Sequence, residues 1–444
     1  MAGVDAARAA DGSRPVRVLY SFPHRLGAER ICSTAWYQVT GLAQAGASVT
    51  VMAHSVRRPL PAGPQQHATL ARGRLSLPFR VLGPLRTLAL HDRIVAHRLA
   101  ALAGQVDIVH LWPQGALRTL QVARTLGLPT VLERPNAHTR YAYEVVQREC
   151  ARLGVTLPAG HEHARNDRVL AREEAEYALA TRLLCPSDFV ARTFLERGFD
   201  AASLARHRYG YDEQVFRAAP RLPAGTQPFT VLFAGGCAPR KGLHHALEAW
   251  LRSGACRDGR LLVAGAFVPG YREHLAGQLG HPSVQVLGHR TDMAALMQRS
   301  DALILPSIEE GSALVTSEAR GCGCVLLVSE AAGAVCRHMV EGLVHPVGDV
   351  VQLARHIDML HGSPALLEAL RQASLAGAAA LTWRAAGEVL LDVYRQTIAA
   401  QARPPASAAA GGCLRGIAGP GTLRLDGLIH RTGAAAVVCH AGRS

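Results

Sequence analysis

Short runs of apolar, largely β-branched residues recur along this chain, each followed by an amphipathic stretch, and the pattern is run through twice. A parallel sheet demands this alternation, because parallel strands are joined only by crossovers long enough to hold a helix. In the first half the spacing predicts strands over Val16–Tyr20, Ser48–Ala53, Asp107–Leu111, Thr130–Leu132 and Arg182–Cys185. Helical periodicity fills the gaps, over Arg30–Gln44, Thr87–Ala103, Gln114–Leu126, Arg165–Leu179 and Asp188–Arg197. The second half repeats the scheme with strands over Thr230–Ala234, Arg260–Ala264, Val284–Leu287, Ala302–Leu305, Val325–Val328 and Gly342–His345. Helices are expected there over Gly242–Leu251, Ser312–Gly321 and Val350–Leu360. The fold class is therefore α/β, with two Rossmann-like domains built on parallel sheets.

Proline and glycine cluster over Ala219–Pro228, and the domain boundary is placed there. The expected organisation is a disordered N-terminus (1–14), a first domain (15–218), a second domain (219–382), a helix crossing back to the first domain (383–400) and a low-complexity, disordered tail (401–444). Pro59–Leu85 reads as an irregular, proline- and arginine-rich insert. The longest stretch without a charged residue, Ile31–Val56, changes from helical to alternating periodicity at Gly46, so it is a helix, a turn and a strand and not a membrane span. The opening residues contain acids and no apolar core, which predicts no signal peptide and a cytoplasmic location.

Charge narrows the class of ligand. A net charge of +14 favours phosphate in some form: nucleic acid, an anionic membrane surface or a phosphorylated small molecule. Nucleic acid is the poorest of these, since the aromatic residues are scattered and form no stacking motif. Lys241 is the only lysine among 48 basic residues, which singles it out as a place where a compact ammonium is required. The ten cysteines include no C-x-x-C pair and sit mostly in apolar runs, so they read as reduced core thiols.

In parallel α/β sheets ligands lie beyond the carboxyl ends of the strands, and four loops qualify. The first, after Val16–Tyr20, contains Gly27 ahead of a helix start. The second places Gly235 and Gly236 at a strand end, with Arg240 and Lys241 entering a helix, a plausible cradle for a diphosphate. The third carries Glu309, Glu310 and Gly311 and leads into a helix containing Glu318. That acid could accept hydrogen bonds from the two hydroxyls of a ribose, while the N–H groups of Ser312, Ala313 and Leu314 face a phosphate. The fourth presents His138 in a polar loop, a position suited to hydrogen bonding or proton transfer.

Taken together, Pro306-Ser307-x-x-Glu310-Gly311, Glu318-Ala319 and Gly321-Cys322-Gly323 resemble the E-x7-E region of family-4 glycosyltransferases with the GT-B fold. Arg240-Lys241-Gly242 resembles the phosphate loop of that family, Gly288-His289-Arg290 and Ser300-Asp301-Ala302 its approach to the signature, and Tyr209-Gly210-Tyr211-Asp212 with Phe216 its N-G-V-D…F element. The match runs roughly from Val16 to Ala400.

The resemblance implies two domains facing across a cleft, the first on the acceptor side and the second binding a nucleotide-diphosphate sugar. It implies that Lys241, with Arg240, holds the diphosphate beside Gly235 and Gly236, that Glu318 binds the ribose, and that Glu310 contacts the transferred sugar with help from the Gly311–Leu314 backbone. His138, with Thr139, would lie near the reacting sugar, and Gly27 in a loop closing on the phosphates. Catalysis would rest on His138, Glu310 and Lys241, with retention of anomeric configuration and with neither metal nor other cofactor. The expected partners are a nucleotide-sugar donor, a glycan or lipid-linked acceptor and, through the eight arginines of Arg57–Arg98, an anionic membrane surface, but no nucleic acid. The chain departs from the family at Gly236, where arginine is usual, at Ser312, where an aromatic is usual, and at Tyr209. These departures leave open a catalytically inactive sugar-nucleotide binder, or a GT-B phosphorylase or epimerase.

Overall fold

A computed structural model describes residues 14–72, 75–76, 83–220 and 227–402. The disorder expected at both ends and the middle of the proline- and glycine-rich linker lie outside the described residues, as do Arg74 and Arg80.

Two parallel sheets form the frame. The first has the order β3-β2-β1-β6-β7-β8-β9, built from β1 (Arg17–Leu26), β2 (Ser48–Val56), β3 (Gln65–Ala68), β6 (Ile108–Leu111), β7 (Thr130–Glu133), β8 (Arg182–Cys185) and β9 (Leu204–Arg206). A small antiparallel pair, β4 (Ala71–Arg72) and β5 (Leu75–Ser76), stands apart from it. The second sheet has the order β12-β11-β10-β13-β14-β15, from β10 (Thr230–Ala234), β11 (Arg260–Ala264), β12 (Val284–Gly288), β13 (Ala302–Leu305), β14 (Val325–Ser329) and β15 (Gly342–His345). Helices cover both faces, so the central strands β13 and β14 are buried along their whole length and read as unbroken apolar runs.

The two-lobed α/β architecture inferred from periodicity is present, and the differences are local. β1 runs six residues past Tyr20, because Phe22 and Leu26 are fully buried and carry the strand through Pro23; its pairing with β2 shifts register between Phe22 and Arg25. β3 arises inside the segment read as irregular; all four of its residues are exposed, so no hydrophobic alternation marked it. The eight cysteines among the described residues are free thiols. No helix among them is long and apolar enough to cross a membrane.

Two helices tie the lobes together. The long C-terminal helix Trp383–Ala402 follows the second lobe in sequence yet buries Leu390, Leu391, Val393 and Tyr394 in the core of the first, against the helix Ile31–Gln44 (α1). The axes approach closely because Gly41 and Gly387 meet; a Cβ on either would strike the backbone of the other helix. The helix Thr139–Leu153 (α2) begins beside β7 of the first lobe, and its last residue, Leu153, packs into the core of the second.

Candidate active site

A cavity of about 660 Å³ lies between the carboxyl ends of the two sheets, a size suited to a nucleotide-sized ligand. From the second lobe it is lined by Ala234–Gly236 after β10, Lys241, Gly265 after β11, and Glu310 and Ser312–Val315 after β13. From the first lobe it is lined by His24 on β1, Arg30 and Thr34 at the start of α1, Gln114, and Arg134–Ala137 after β7.

The glycines of the β10 loop let the chain turn over this cavity. Gly235 has φ +147, and a Cβ at the facing Gly265 would collide with the Gly235 carbonyl oxygen. Nothing lies within 4 Å of a Cβ at Gly236. After the short turn Pro239–Lys241, Gly242 (φ +70) caps the helix Leu243–Arg252 (α3); a Cβ there would meet the Pro306 carbonyl oxygen. The first constraint packs the β10 loop against the loop after β11, and the second packs the Lys241 turn against the loop after β13.

A buried network of charge joins the loops. Lys241 Nζ contacts Glu310 Oε1. Arg240 Nη1 lies 3.1 Å from Glu310 Oε2, 3.3 Å from Glu309 Oε2 and donates to the Glu309 carbonyl oxygen at 2.9 Å. Glu309 Oε1 accepts the N–H of Ala137 at 2.9 Å, and Glu309 Oε2 lies 3.1 Å from His163 Nε2, so this acid fastens the second lobe to the first. Burial pushes the Glu309 carboxyl up, but His163, Arg240 and the Ala137 N–H outweigh it and hold it down at about 2. Burial and Arg240 depress His163, yet bonds to Glu162 and Glu309 prevail and its pKa ends raised. Burial lowers Lys241 despite its contact with Glu310, as befits an ammonium withdrawn from water.

The helix Leu314–Gly321 (α4) starts at the cavity wall, two residues later than the periodicity suggested. Leu314 and Val315 line the cavity, and Glu318 stands one turn further along the same helix. The Glu318 carboxyl makes no hydrogen bond or ion pair with any described residue, and burial raises its pKa to about 7.

Gly235, Gly236, Lys241, Glu310, Ser312, Ala313 and Leu314 thus meet in one cavity wall. Five other expectations need revision. His138 is the N-cap of α2: its Nδ1 accepts the Arg140 N–H at 3.2 Å, and its ring packs among Tyr177, Phe194 and Phe199. Burial and the nearby arginines drive it down to about 3, and it caps the helix without lining the cavity. Arg240 is committed to Glu309 and Glu310, with its charge consumed by those acids, and lies behind Lys241, not in the wall. Gly27 (φ +76) turns the chain beneath Arg58 and Trp36 away from the cavity. Gly311 is a close-approach glycine: a Cβ would run into the Pro135 carbonyl oxygen of the first lobe. The Ala313 N–H is taken by the Ala332 carbonyl at 3.2 Å, so of the three amides named for phosphate it is not available.

The sequence placed Glu309 in the third loop without giving it a role, and it passed over His163 and Arg30. His163 belongs to an irregular loop with neither strand nor helix pattern, and only the pairing of lobes reveals its partner. Arg30 carried a detectable signal, since it stands just before a helix that follows a strand end.

Residues 228–363 match the family described as glycosyl transferases group 1. The chain is 29% identical over 371 residues, 77% of its length and 81% of the relative's, to D-inositol 3-phosphate glycosyltransferase 1 of Catenulispora acidiphila. Among solved structures it is similar to sucrose-phosphate synthase from Thermosynechococcus elongatus (TM-score 0.61, 19% identity, 87% of this chain and 100% of that one). It is also similar to Anabaena HepE in complex with UDP and glucose (TM-score 0.57, 15% identity, 86% and 100%). The fold is of GT-B architecture, and the domain match with the named relatives supports a transferase enzyme. The glycosyltransferase match lies in the second lobe, over residues 228–363, and the relative aligned over 77% of the chain is a glycosyltransferase.

Proposed function

We propose that this protein is a retaining, family-4-type transferase that moves a sugar from a nucleotide diphosphate to an acceptor hydroxyl in the cleft. The observation that carries the reading is the single cavity wall uniting Gly235, Gly236, Lys241, Glu310 and the start of α4, with an unpartnered carboxyl at Glu318 one turn beyond. Glu318 accepts the ribose hydroxyls, Lys241 leaves Glu310 for the diphosphate, and Glu310, still held by Arg240, turns its freed oxygen to the sugar. The likeness to a HepE complex containing UDP supports a nucleotide donor.

In the reaction the bond from the anomeric carbon to the phosphate oxygen breaks, and the acceptor oxygen bonds to that carbon from the same face. The acceptor proton passes to the departing phosphate. Negative charge grows on the leaving group, where Lys241 and the first amides of α4 stabilise it; preorganised stabilisation of this kind supplies most of the rate enhancement in such reactions. Retention is supported by the state of the cavity carboxylates: Glu162 is paired with His163 and Glu173 with Arg134, while Glu310, once Lys241 has moved to the diphosphate, stays held by Arg240 and is engaged with the sugar hydroxyls. No step calls for a metal ion. The acceptor belongs to glycan, polysaccharide or glycolipid synthesis; the exposed Arg57, Arg58, Arg86, Arg93 and Arg98 would bring the first lobe to an anionic membrane carrying it.

The test is a thermal-shift screen of nucleotide sugars, then product analysis by NMR with candidate acceptors. Stabilisation by one nucleotide sugar and a product of unchanged anomeric configuration are expected. An inverted product would overturn retention, and stabilisation by none would overturn the donor site.

A further inference from the structure

We propose that Glu149, His244 and His245 form a site for a divalent transition metal of the zinc class, clamping α2 of the first lobe to α3 of the second. Glu149 Oε1 is 2.7 Å from His244 Nε2 and 3.8 Å from His245 Nε2, and one ligand atom from each residue lies within 4.8 Å of the others. Around a tetrahedral ion with bonds of ~2.0–2.1 Å, ligand atoms stand ~3.3 Å apart, so the two measured distances bracket the requirement. An imidazole pair with one carboxylate is the donor set that borderline cations such as Zn²⁺ and Co²⁺ select over Mg²⁺ or Ca²⁺.

Two further features point to a ligand. His244 Nδ1 lies 2.6 Å from the Tyr271 hydroxyl; donating that N–H to the phenol oxygen leaves the Nε2 lone pair aimed at Glu149, the kind of supporting bond that orients metal-binding histidines. His245 is only 6% exposed, and its Nε2 faces the same carboxylate at 3.8 Å with Arg152 beside it at 3.5 Å. Arg152 also reaches Glu149 Oε1, at 2.6 Å, and His245 Nε2, at 3.5 Å, so its guanidinium, on a side chain that is 55% exposed, must move into water when an ion binds. Its departure opens the route of entry and a fourth, water-filled position. The carboxylate excludes a phosphate from the same spot.

None of the three residues lines the cavity, so the ion would not touch the reacting sugar. His244 begins two residues after Gly242, and the clamp would hold the Lys241 loop against the first lobe.

The experiment uses the full chain, stripped with a chelator and titrated with Zn²⁺ and Co²⁺. One ion per chain by mass spectrometry after dialysis, the intense visible bands of four-coordinate Co²⁺, and a melting temperature raised by Zn²⁺ and restored by chelator are expected. Glu149→Gln and His245→Ala should each weaken binding at least tenfold, Tyr271→Phe about 10- to 100-fold, and His338→Ala, in a separate histidine group, not at all. Circular dichroism separates lost ligands from lost fold; should a variant unfold, stoichiometry and the Co²⁺ spectrum of the unaltered chain decide. Substoichiometric binding, an octahedral Co²⁺ spectrum, or equal affinity in folded Glu149→Gln and His245→Ala would overturn the site.

Discussion

Replacing Glu318 by glutamine should make the empty protein more stable and its nucleotide binding weaker. Burial lifts this carboxyl from its ordinary 4.5 to about 7. Between those values the native state holds a proton that the unfolded chain has released, so stability falls as pH rises from 4.5 towards 7. The gap corresponds to a destabilisation of at most about 3.4 kcal/mol above pH 7. The side chain is only half-buried, so about 1–3 kcal/mol is the realistic share. Glu318→Gln removes that charge, and a melting temperature higher by roughly 2–4 °C per kcal/mol is expected at pH 8, with almost no change at pH 4.5. Binding should move the opposite way. Ribose hydroxyls bonded to a carboxylate are worth about 1.5–3 kcal/mol, so the variant should bind nucleotide roughly 10- to 150-fold more weakly. Affinity of the unaltered protein should rise with pH through 7, and that of the variant should not. Scanning fluorimetry at the two pH values and calorimetric titration with the nucleotide identified in the screen measure both arms. A variant that melts lower at pH 8, or that binds as tightly as the original, would refute the assignment of an unpartnered, ligand-seeking acid.

Lys241→Ala should lower turnover by about 100- to 1000-fold in a folded protein, and Lys241→Arg should restore only part of it, since a planar fork does not replace a point charge; steady-state kinetics on the donor identified by the screen decides. Gly311→Ala should cost about 1–3 kcal/mol and reduce nucleotide affinity, because its Cβ must displace the Pro135 carbonyl and pry the lobes apart; denaturant melts and titration show both. His138→Ala should cost about 1 kcal/mol of stability through the lost cap while nucleotide affinity stays unchanged. Gly236→Arg meets open space and should tighten nucleotide binding several-fold, with a steeper salt dependence, by adding the cation absent from this loop.

The alternation of strand and helix was enough to determine two parallel α/β lobes, because the period of apolar residues and the length of each crossover are local properties that only this architecture satisfies. The same reasoning brought Lys241, Glu310 and the Gly235–Gly236 turn to strand ends, where parallel sheets bind their ligands. What each side chain does there depended on neighbours far away in sequence. His138 became a helix cap because Tyr177, Phe194 and Phe199 enclose its ring. Arg240 was drawn off the phosphate site because two acids, one of them fastened to His163 and the Ala137 amide, claim its charge. Glu318 alone stayed unpaired on its helix. Hydrogen bonds and desolvation are set by what surrounds a group within a few ångströms, and only folding the two lobes against one another decides that.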